Sequence, residues 1–366
     1  MTLANFGKRL AKMSIDMTES SNKPRHGAPI RRRPTSLADI AAVAGVSVST
    51  VSRIANGELG RASPATVERV QRLIQSLDYR PNPVGRTLRS GDSRIVAMLA
   101  PNLDNPAMAA IAASTEAALR EAGYVMILCD THDRSELQDE YLRAMRSRFV
   151  EGFVLVSAVA SEELETAVRR GDPIVFVNRR CPYGRGAFVG IDNKQAGSDA
   201  ADFLLEQTGC GLGAGALAVV HPHVLSSTIR DRVEGFLARL AERDADRIVL
   251  RVDGDGVNHL DCGYRATRAL VAAYGWPAGV MCPSDLMAYG LYRAATEDGV
   301  AIPAKCRPIG IDDNALNAWI APWLASISVP YHAFGKEIVF SLREMWGDRA
   351  GARSKVSLLQ HELITR

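Results

Sequence analysis

The chain is poor in aromatic residues, which make up 6% of its 366 positions. A site built on stacked rings is correspondingly little supported. No apolar run approaches 18 residues, so the sequence offers no membrane-spanning helix. The first 33 residues are polar and basic and lack the apolar core of a secretory signal. Six cysteines (Cys129, Cys181, Cys210, Cys262, Cys282, Cys306) are scattered, with no C-x-x-C pair. They read as reduced, mostly buried thiols in a cytoplasmic protein. No G-x-S-x-G string occurs, nor any paired-carboxylate site in a supporting context. The most enzyme-like string, Gly209 to Gly215, contains G-x-G-x-x-A but precedes a strand-like run instead of following one. It reads as a flexible turn, not a dinucleotide fingerprint. His221-Pro222-His223 has metal-like spacing without an evident third ligand. The expectation is a chain that is not an enzyme and uses no cofactor and no metal.

What is present is a soluble globular composition, 47% hydrophobic and 23% charged, long enough for two or three domains. The net charge of +3 hides an asymmetry. Residues 1–95 hold 16 Lys and Arg against 7 Asp and Glu, a balance of +9. The remainder holds 28 against 34, a balance of −6. A basic head on an acidic body fits a protein of which only the head meets phosphates.

The stretch from Thr35 to Asn56 reads as a helix-turn-helix. Leu37, Ile40, Ala41 and Ala44 give a first helix one apolar face. Ser36 caps its start, and Asp39 stands where a capping-box acid belongs. Gly45 stops the helix, Val46 fills the angle, and Ser47 caps a second helix reaching about Ile54. Val51 and Ile54 point back at the first helix. The outward face is expected to carry Val48, Ser49, Ser52 and Arg53, with Arg53 suited to the O6 and N7 atoms of a guanine in the major groove. Ser63 caps a third helix, and its Val67, Val70, Leu73, Ile74 and Leu77 close a small core. The prolines at 81 and 83 end that pattern.

Four segments are expected. Residues 1–34 form a disordered basic arm, which either adds phosphate contacts or is an idle extension. Residues 35–80 form the helix-turn-helix domain, 81–92 a hinge and linker, and 93–366 a two-lobed α/β body. From Ile95 onward, strand-like runs at 95–99, 125–129, 153–156, 174–177, 218–220, 248–252, 280–282 and 309–311 alternate with helical patterns at 108–122, 137–148, 196–205, 232–240 and 286–296. Such alternation implies parallel sheets covered by helices, with ligands at the carboxyl ends of the strands. Polar residues that follow strands or open helices are therefore candidates: Asn105, Asn178, Arg179, Arg232, Ser284, Asp285 and Asp312.

With these residues in view, the chain from about residue 35 to its end resembles the lactose-repressor (LacI/GalR) family. The carriers are L-A-D-I-A-A-V-A-G-V-S-V-S-T-V-S-R-I-A-N, then L-D-Y-R-P-N-P-V-G-R-T-L, then the S-R-I-V-A-M-L-A-P strand. The pattern returns in Gly190-Ile191-Asp192-Asn193, in Arg232 to Phe236, in Ser284 to Ala288 and in Gly310 to Asp313. The resemblance implies a repressor with a periplasmic-binding-protein-like body, binding a double-stranded, pseudo-palindromic operator as a homodimer. It places Val48, Ser49 and Arg53 at base-reading positions, and Ser47, Thr50, Ser52 and Asn56 at phosphate-contacting or turn-stabilising ones. Pro81 to Arg89 resembles the hinge helix, with Arg86 near phosphates and Leu88 as a minor-groove wedge. Gly85 departs from the family's usual Ala. Leu358 to Ile364 reads as a last strand pair with no leucine heptads, which favours a dimer over a tetramer.

The resemblance also implies a small polar effector, a sugar or sugar derivative, held by Asn105, Asn178, Arg232, Ser284 and Asp312. Arg232 with Asp312 facing it across the cleft suits a polyol. The first loop, Asn105-Pro106-Ala107-Met108, lacks the family's usual aromatics, so Trp276, Tyr183 or Phe188 would have to substitute. A smaller sugar, a sugar acid and a phosphorylated metabolite all remain open. The other readings are a solute-binding receptor without a DNA role, and an activator of the same family.

Overall fold

The computed structural model describes residues 36–77, 79, 93–184, 186–244, 246–348 and 351–366. The arm at 1–34, the hinge and linker at 81–92, and with them Gly85, Arg86 and Leu88, lie outside the described residues. The chain divides into two units, Met1–Asn82 and Pro83–Arg366.

Three helices build the first unit: α1 (Leu37–Ala44), α2 (Val48–Ala55) and α3 (Pro64–Ser76). Ser36 and Asp39 cap α1 reciprocally: the Ser36 amide donates to Asp39 Oδ2 at 2.8 Å and the Asp39 amide to Ser36 Oγ at 3.2 Å. Gly45 ends α1 at φ 66°, a conformation that costs a residue without Cβ little. The break turns α2 by 109° from α1, in the range of DNA-binding helix pairs. Ile40, Ala41, Ala44, Val51, Ile54, Val70 and Tyr79 form the core. Leu77, expected inside, is 40% exposed. The helix stops at Ser76, and the Tyr79 amide bonds back to the Ile74 carbonyl at 3.0 Å. That turn puts the Tyr79 ring where Leu77 was expected.

The second unit holds two six-stranded sheets. In the first lobe β1 (Ile95–Ala100), β2 (Val125–Asp130), β3 (Gly152–Val156), β4 (Ile174–Val177), β5 (Ala187–Ile191) and β11 (Val356–Leu359) run in the order β11-β5-β4-β3-β1-β2, all parallel. In the second, β6 (Leu217–Pro222), β7 (Val249–Gly254), β8 (Gly279–Met281), β9 (Arg307–Asp312), β10 (Ala325–Ser328) and β12 (Glu362–Ile364) repeat the plan as β12-β10-β9-β8-β6-β7, with only β12 antiparallel. Burial on both faces explains the continuous apolar runs of the central strands, while the edge strands β2 and β7 are partly exposed.

Nine helices cover the sheets among the described residues: α4 (Pro106–Glu121), α5 (Ser135–Arg146), α6 (Glu162–Arg170), α7 (Asn193–Thr208), α8 (Ser227–Arg243), α9 (His259–Tyr274), α10 (Asp285–Glu297), α11 (Asn317–Ile320) and α12 (Tyr331–Trp346). None is long and apolar enough to cross a membrane alone. The chain passes between lobes three times. After β5 it enters α7, which packs on α8 and β8. After β10 it returns to α12, which packs on α4. The third passage corrects the expected last strand pair. β11 and β12 do not pair with each other, because each completes the open edge of a different sheet, β5 in one lobe and β10 in the other.

In both sheets the strand order reverses between the first and third strands, β1 and β3 in one lobe and β6 and β8 in the other. Connections leave in opposite directions at such a point and open a crevice at the carboxyl ends.

Candidate functional site

On the first unit, α2 presents its N-terminal turn. Ser47, Val48 and Ser49 are exposed, and Thr50 and Arg53 are half-buried. Ser47 Oγ caps the helix by accepting from the Thr50 amide at 3.2 Å, and it bonds the hydroxyls of Ser49 and Thr50 at 2.8 Å each. Three hydroxyls are thereby locked in one patch beside the methyls of Val48. Arg53 makes no ion pair with any described residue. Asn56 is exposed and closes the helix through its backbone amide. Ser52 departs from expectation, being only 8% exposed. α2 packs against both α1 and α3, so its covered arc extends past the Val51–Ile54 line. The short Ser52 side chain does not reach out of it.

On the second unit, a cavity of about 870 Å³ opens at the strand ends of both lobes. It brings together the five residues assigned to the effector, Asn105, Asn178, Arg232, Ser284 and Asp312, and the candidate Arg179, whereas the candidate Asp285 does not line it. Asn105 is also the cap of α4, accepting from the Ala107 amide at 3.0 Å. Asn178 sits at φ 67° after β4. Its Nδ2 donates to Ser157 Oγ at 2.7 Å, and its carbonyl accepts from Thr228 Oγ1, on α8, at 2.7 Å. Ser284 caps α10 and bonds His259 Nδ1 at 2.9 Å.

Arg232 lies on α8, where α7 and α8 touch backbone to backbone. A Cβ at Gly197 would stand 2.0 Å from the Arg232 carbonyl, so glycine is required there. The guanidinium is buried. Nε donates to Asn193 Oδ1 at 2.9 Å, and Nη1 to the Pro283 carbonyl at 2.6 Å and to Asp312 Oδ1 at 3.5 Å. Asp312 Oδ1 also accepts from the Tyr331 hydroxyl at 2.7 Å. Burial raises the Asp312 carboxyl above its usual range, and Arg232 opposes that shift. The expected arrangement needs correction here. Arg232 and Asp312 belong to the same lobe and touch each other, because Asp312 ends β9 and Arg232 lies on α8, which follows β6 of the same sheet. The pair from the other lobe is Arg179 with Asp133, at 2.8 Å.

Tyr331 and His259 line the same cavity and were not anticipated. Burial, with Arg232 and Arg179 adding to it, lowers His259 to about 4. It is therefore a neutral ring at physiological pH. The aromatic stand-ins proposed from sequence point elsewhere. Trp276 donates to Asp298, Tyr183 to the Ser161 carbonyl, and Phe188 lies under the Arg180 guanidinium. The apolar part of the cavity wall includes Met108, Leu225, Ile229 and Leu286, and Asp104, Asp130, His132, Asp255 and Asn258 add further polar groups.

The remaining motifs are tied into the fold, although His223 also lines the cavity. His221 is buried in β6, where it accepts from Arg251 Nε at 2.9 Å, while His223 pairs with Asp253 at 2.6 Å. The glycine-rich stretch 209–215 is tied down by Arg247, which donates to the carbonyls of Gly209 and Ala214. Cys210 is exposed and the other five cysteines are buried.

A family model described as bacterial regulatory proteins, lacI family, matches residues 36–82, and one described as a periplasmic binding protein domain matches 96–343. The ribose operon repressor of Halalkalibacterium halodurans is 30% identical over 305 residues, 82% of this chain and 87% of that protein. Among solved structures, the lac repressor dimer bound to operator and the anti-inducer ONPF superposes with a TM-score of 0.79 at 23% identity, over 91% of this chain and 98% of that one, a likeness of fold. The complex of the regulator CelR with cellobiose gives 0.64 at 26% identity, over 91% and 99%. Head and body are thus matched together along nearly the whole chain, which belongs to the lacI family of bacterial regulatory proteins and is a DNA-binding regulator, not an enzyme.

Proposed function

We propose that the chain is an operator-binding repressor that acts as a homodimer and is controlled by a sugar or sugar derivative in the cleft. The observation that carries this reading is the pairing of opposed charges on both walls of one cavity: Arg179 with Asp133 on one lobe, Arg232 with Asp312 on the other. Arg179 lines the cavity while its Nη1 holds Asp133 at 2.8 Å. Each Arg already faces an acid, so a hydroxyl, which both donates and accepts, fits between them without leaving a charge uncompensated. The repressor of the ribose operon and the cellobiose-bound regulator are consistent with this ligand class.

Val48, Ser49 and Arg53 are the proposed base readers, and Ser47, Thr50 and Asn56 the proposed phosphate contacts. Arg86 and Leu88 join them on the sequence alone. Self-association is supported by an apolar projection on the second lobe, where Trp319 is 85% and Ile320 61% exposed. Ligand contact to both lobes would favour one lobe arrangement about the three passages and so shift operator affinity.

The test uses full-length protein. Thermal shifts are measured against neutral sugars including D-ribose and cellobiose, sugar acids and sugar phosphates, and the protein is then selected on randomised duplex DNA with and without each hit. A neutral sugar that stabilises the protein and changes recovery of a palindrome supports the reading. Stabilisation without sequence selection would favour a receptor, and no stabilisation by any sugar, sugar acid or sugar phosphate would reject the effector assignment.

A further inference from the structure

Asp285 opens α10 but does not line the cavity, and it is 1% exposed. A carboxylate in the first turn of a helix is ordinarily explained by the helix dipole and its free amides. Here the three donors come from other segments. Oδ2 accepts from the Asn314 amide at 2.7 Å and from Asn317 Nδ2 at 2.8 Å, and Oδ1 accepts from Ser326 Oγ at 2.6 Å. Ser326 Oγ in turn accepts from the Asp313 amide at 3.1 Å. Room for Oδ1 exists because position 310 is glycine, where a Cβ would stand 2.2 Å from it.

Two consecutive amides, 313 and 314, are therefore tied to one carboxylate, directly or through one hydroxyl. They follow Asp312, the acid that faces Arg232 and Tyr331. Asp312 has φ 127° and Asp313 φ 51°. Non-glycine residues hold such conformations only where their surroundings over-determine them. The Asp285 network is placed to do so. It also holds Asn317, the first residue of α11, whose Oδ1 accepts from the Tyr289 hydroxyl at 2.6 Å.

We propose that Asp285 is a positioning residue of the cleft: through Asn314 and Ser326 it fixes the backbone at 312–314 and so presents the Asp312 carboxylate to Arg232. Its consequence for ligand binding rests on the reading that Asp312 grips the effector. The geometry itself does not need that reading.

The experiment compares full-length wild type with Asp285→Asn and Ser326→Ala by hydrogen–deuterium exchange and by crystal structures. A Leu240→Ala variant, which lowers global stability from a distant core position, serves as the control. The expected result is that exchange at amides 313 and 314 rises roughly tenfold or more in both network variants while β6 stays protected. Asp312 is expected to leave its φ 127° conformation and separate from Arg232. Amides that stay protected, an unmoved Asp312, or exchange no greater than in the Leu240→Ala control would overturn the proposal. If Asp285→Asn fails to fold, Ser326→Ala decides alone. A separate Asp312→Asn variant, titrated with D-ribose and cellobiose, tests the effector reading, and its failure leaves the exchange result standing.

Discussion

Arg232 Nη1 and Asp312 Oδ1 lie 3.5 Å apart at the mouth of the second lobe, both nearly removed from solvent. The separation is long for a charge-assisted bond, and the guanidinium makes shorter bonds to Asn193 and the Pro283 carbonyl. The pair is thus held in place by neighbours more than by mutual attraction. Such an arrangement keeps polar atoms available to a ligand without letting the side chains collapse onto each other.

Removing the guanidinium leaves a buried carboxylate with the Tyr331 hydroxyl but no opposite charge. Arg232→Ala is expected to destabilise the body by roughly 3–5 kcal/mol, the usual cost of breaking a buried pair, and to raise the Asp312 carboxyl further. Arg232→Lys should recover little, since one ammonium cannot serve Asn193, Pro283 and Asp312 in the same plane. Urea midpoints and sugar-induced thermal shifts measure both effects. A Lys variant that behaves as wild type would show that the fork geometry is unimportant.

Gly197→Ala introduces a Cβ where the Arg232 carbonyl stands 2.0 Å away. Helices α7 and α8 must separate, at roughly 1–3 kcal/mol for overpacking, and Arg232 moves with α8. Loss of ligand-induced stabilisation is expected along with a lower melting temperature. A variant that melts earlier yet keeps its full ligand response would mean that this helix contact does not set the Arg232 position.

The pH dependence of stability should contain two opposed parts. Burial raises Asp285 from 3.8 to about 6, so the folded chain keeps a proton that the unfolded chain releases. Stability from this group falls as pH rises through that window. Burial lowers His259 from 6.5 to about 4, so the unfolded chain takes up a proton that the folded chain refuses. Stability from this group rises with pH over nearly the same window. Each is worth about 3 kcal/mol at 1.36 kcal/mol per pH unit, and in the wild type they nearly cancel. As pH rises from 4 to 6.5, the stability of Asp285→Asn should rise relative to wild type and that of His259→Gln should fall, apart from any pH-independent cost of the substitution. Urea unfolding at half-unit steps of pH reads the two slopes, and slopes of the same sign would refute the assignment.

The sequence disclosed what local chemistry controls. The Ser36–Asp39 box, Gly45 and the Ser47 cap are decided within four residues, so the head was readable. Strands buried on both faces announce themselves as apolar runs. β10, Ala-Ser-Ile-Ser, does not, because Ser326 is spent on Asp285. With that strand unseen, nothing marked Tyr331 as a strand-end residue. Helices α9 and α12 are not among the expected helical patterns. His259 opens α9, so no expected element marked it. The kinds of residue at the cleft were legible, but their division between lobes was not. That division depends on where the chain passes from one sheet to the other, which no local pattern encodes.

The head permits a separable test. Arg53 makes no ion pair with any described residue and stands beside the Ser47–Ser49–Thr50 hydroxyl patch. A guanidinium that binds guanine O6 and N7 contributes about 1–3 kcal/mol of discrimination against the wrong base, and little to bulk attraction for phosphates. Arg53→Ala should therefore lower affinity for the selected operator by roughly ten- to a hundredfold while leaving binding to random duplex nearly unchanged. The salt dependence of that residual binding should also change by no more than about one phosphate equivalent. Selection on randomised DNA should show relaxed preference at one position in each half-site. If both specific and random binding fell together, with a marked drop in salt dependence, Arg53 would be a phosphate contact, and base reading would rest on Val48 and Ser49 alone.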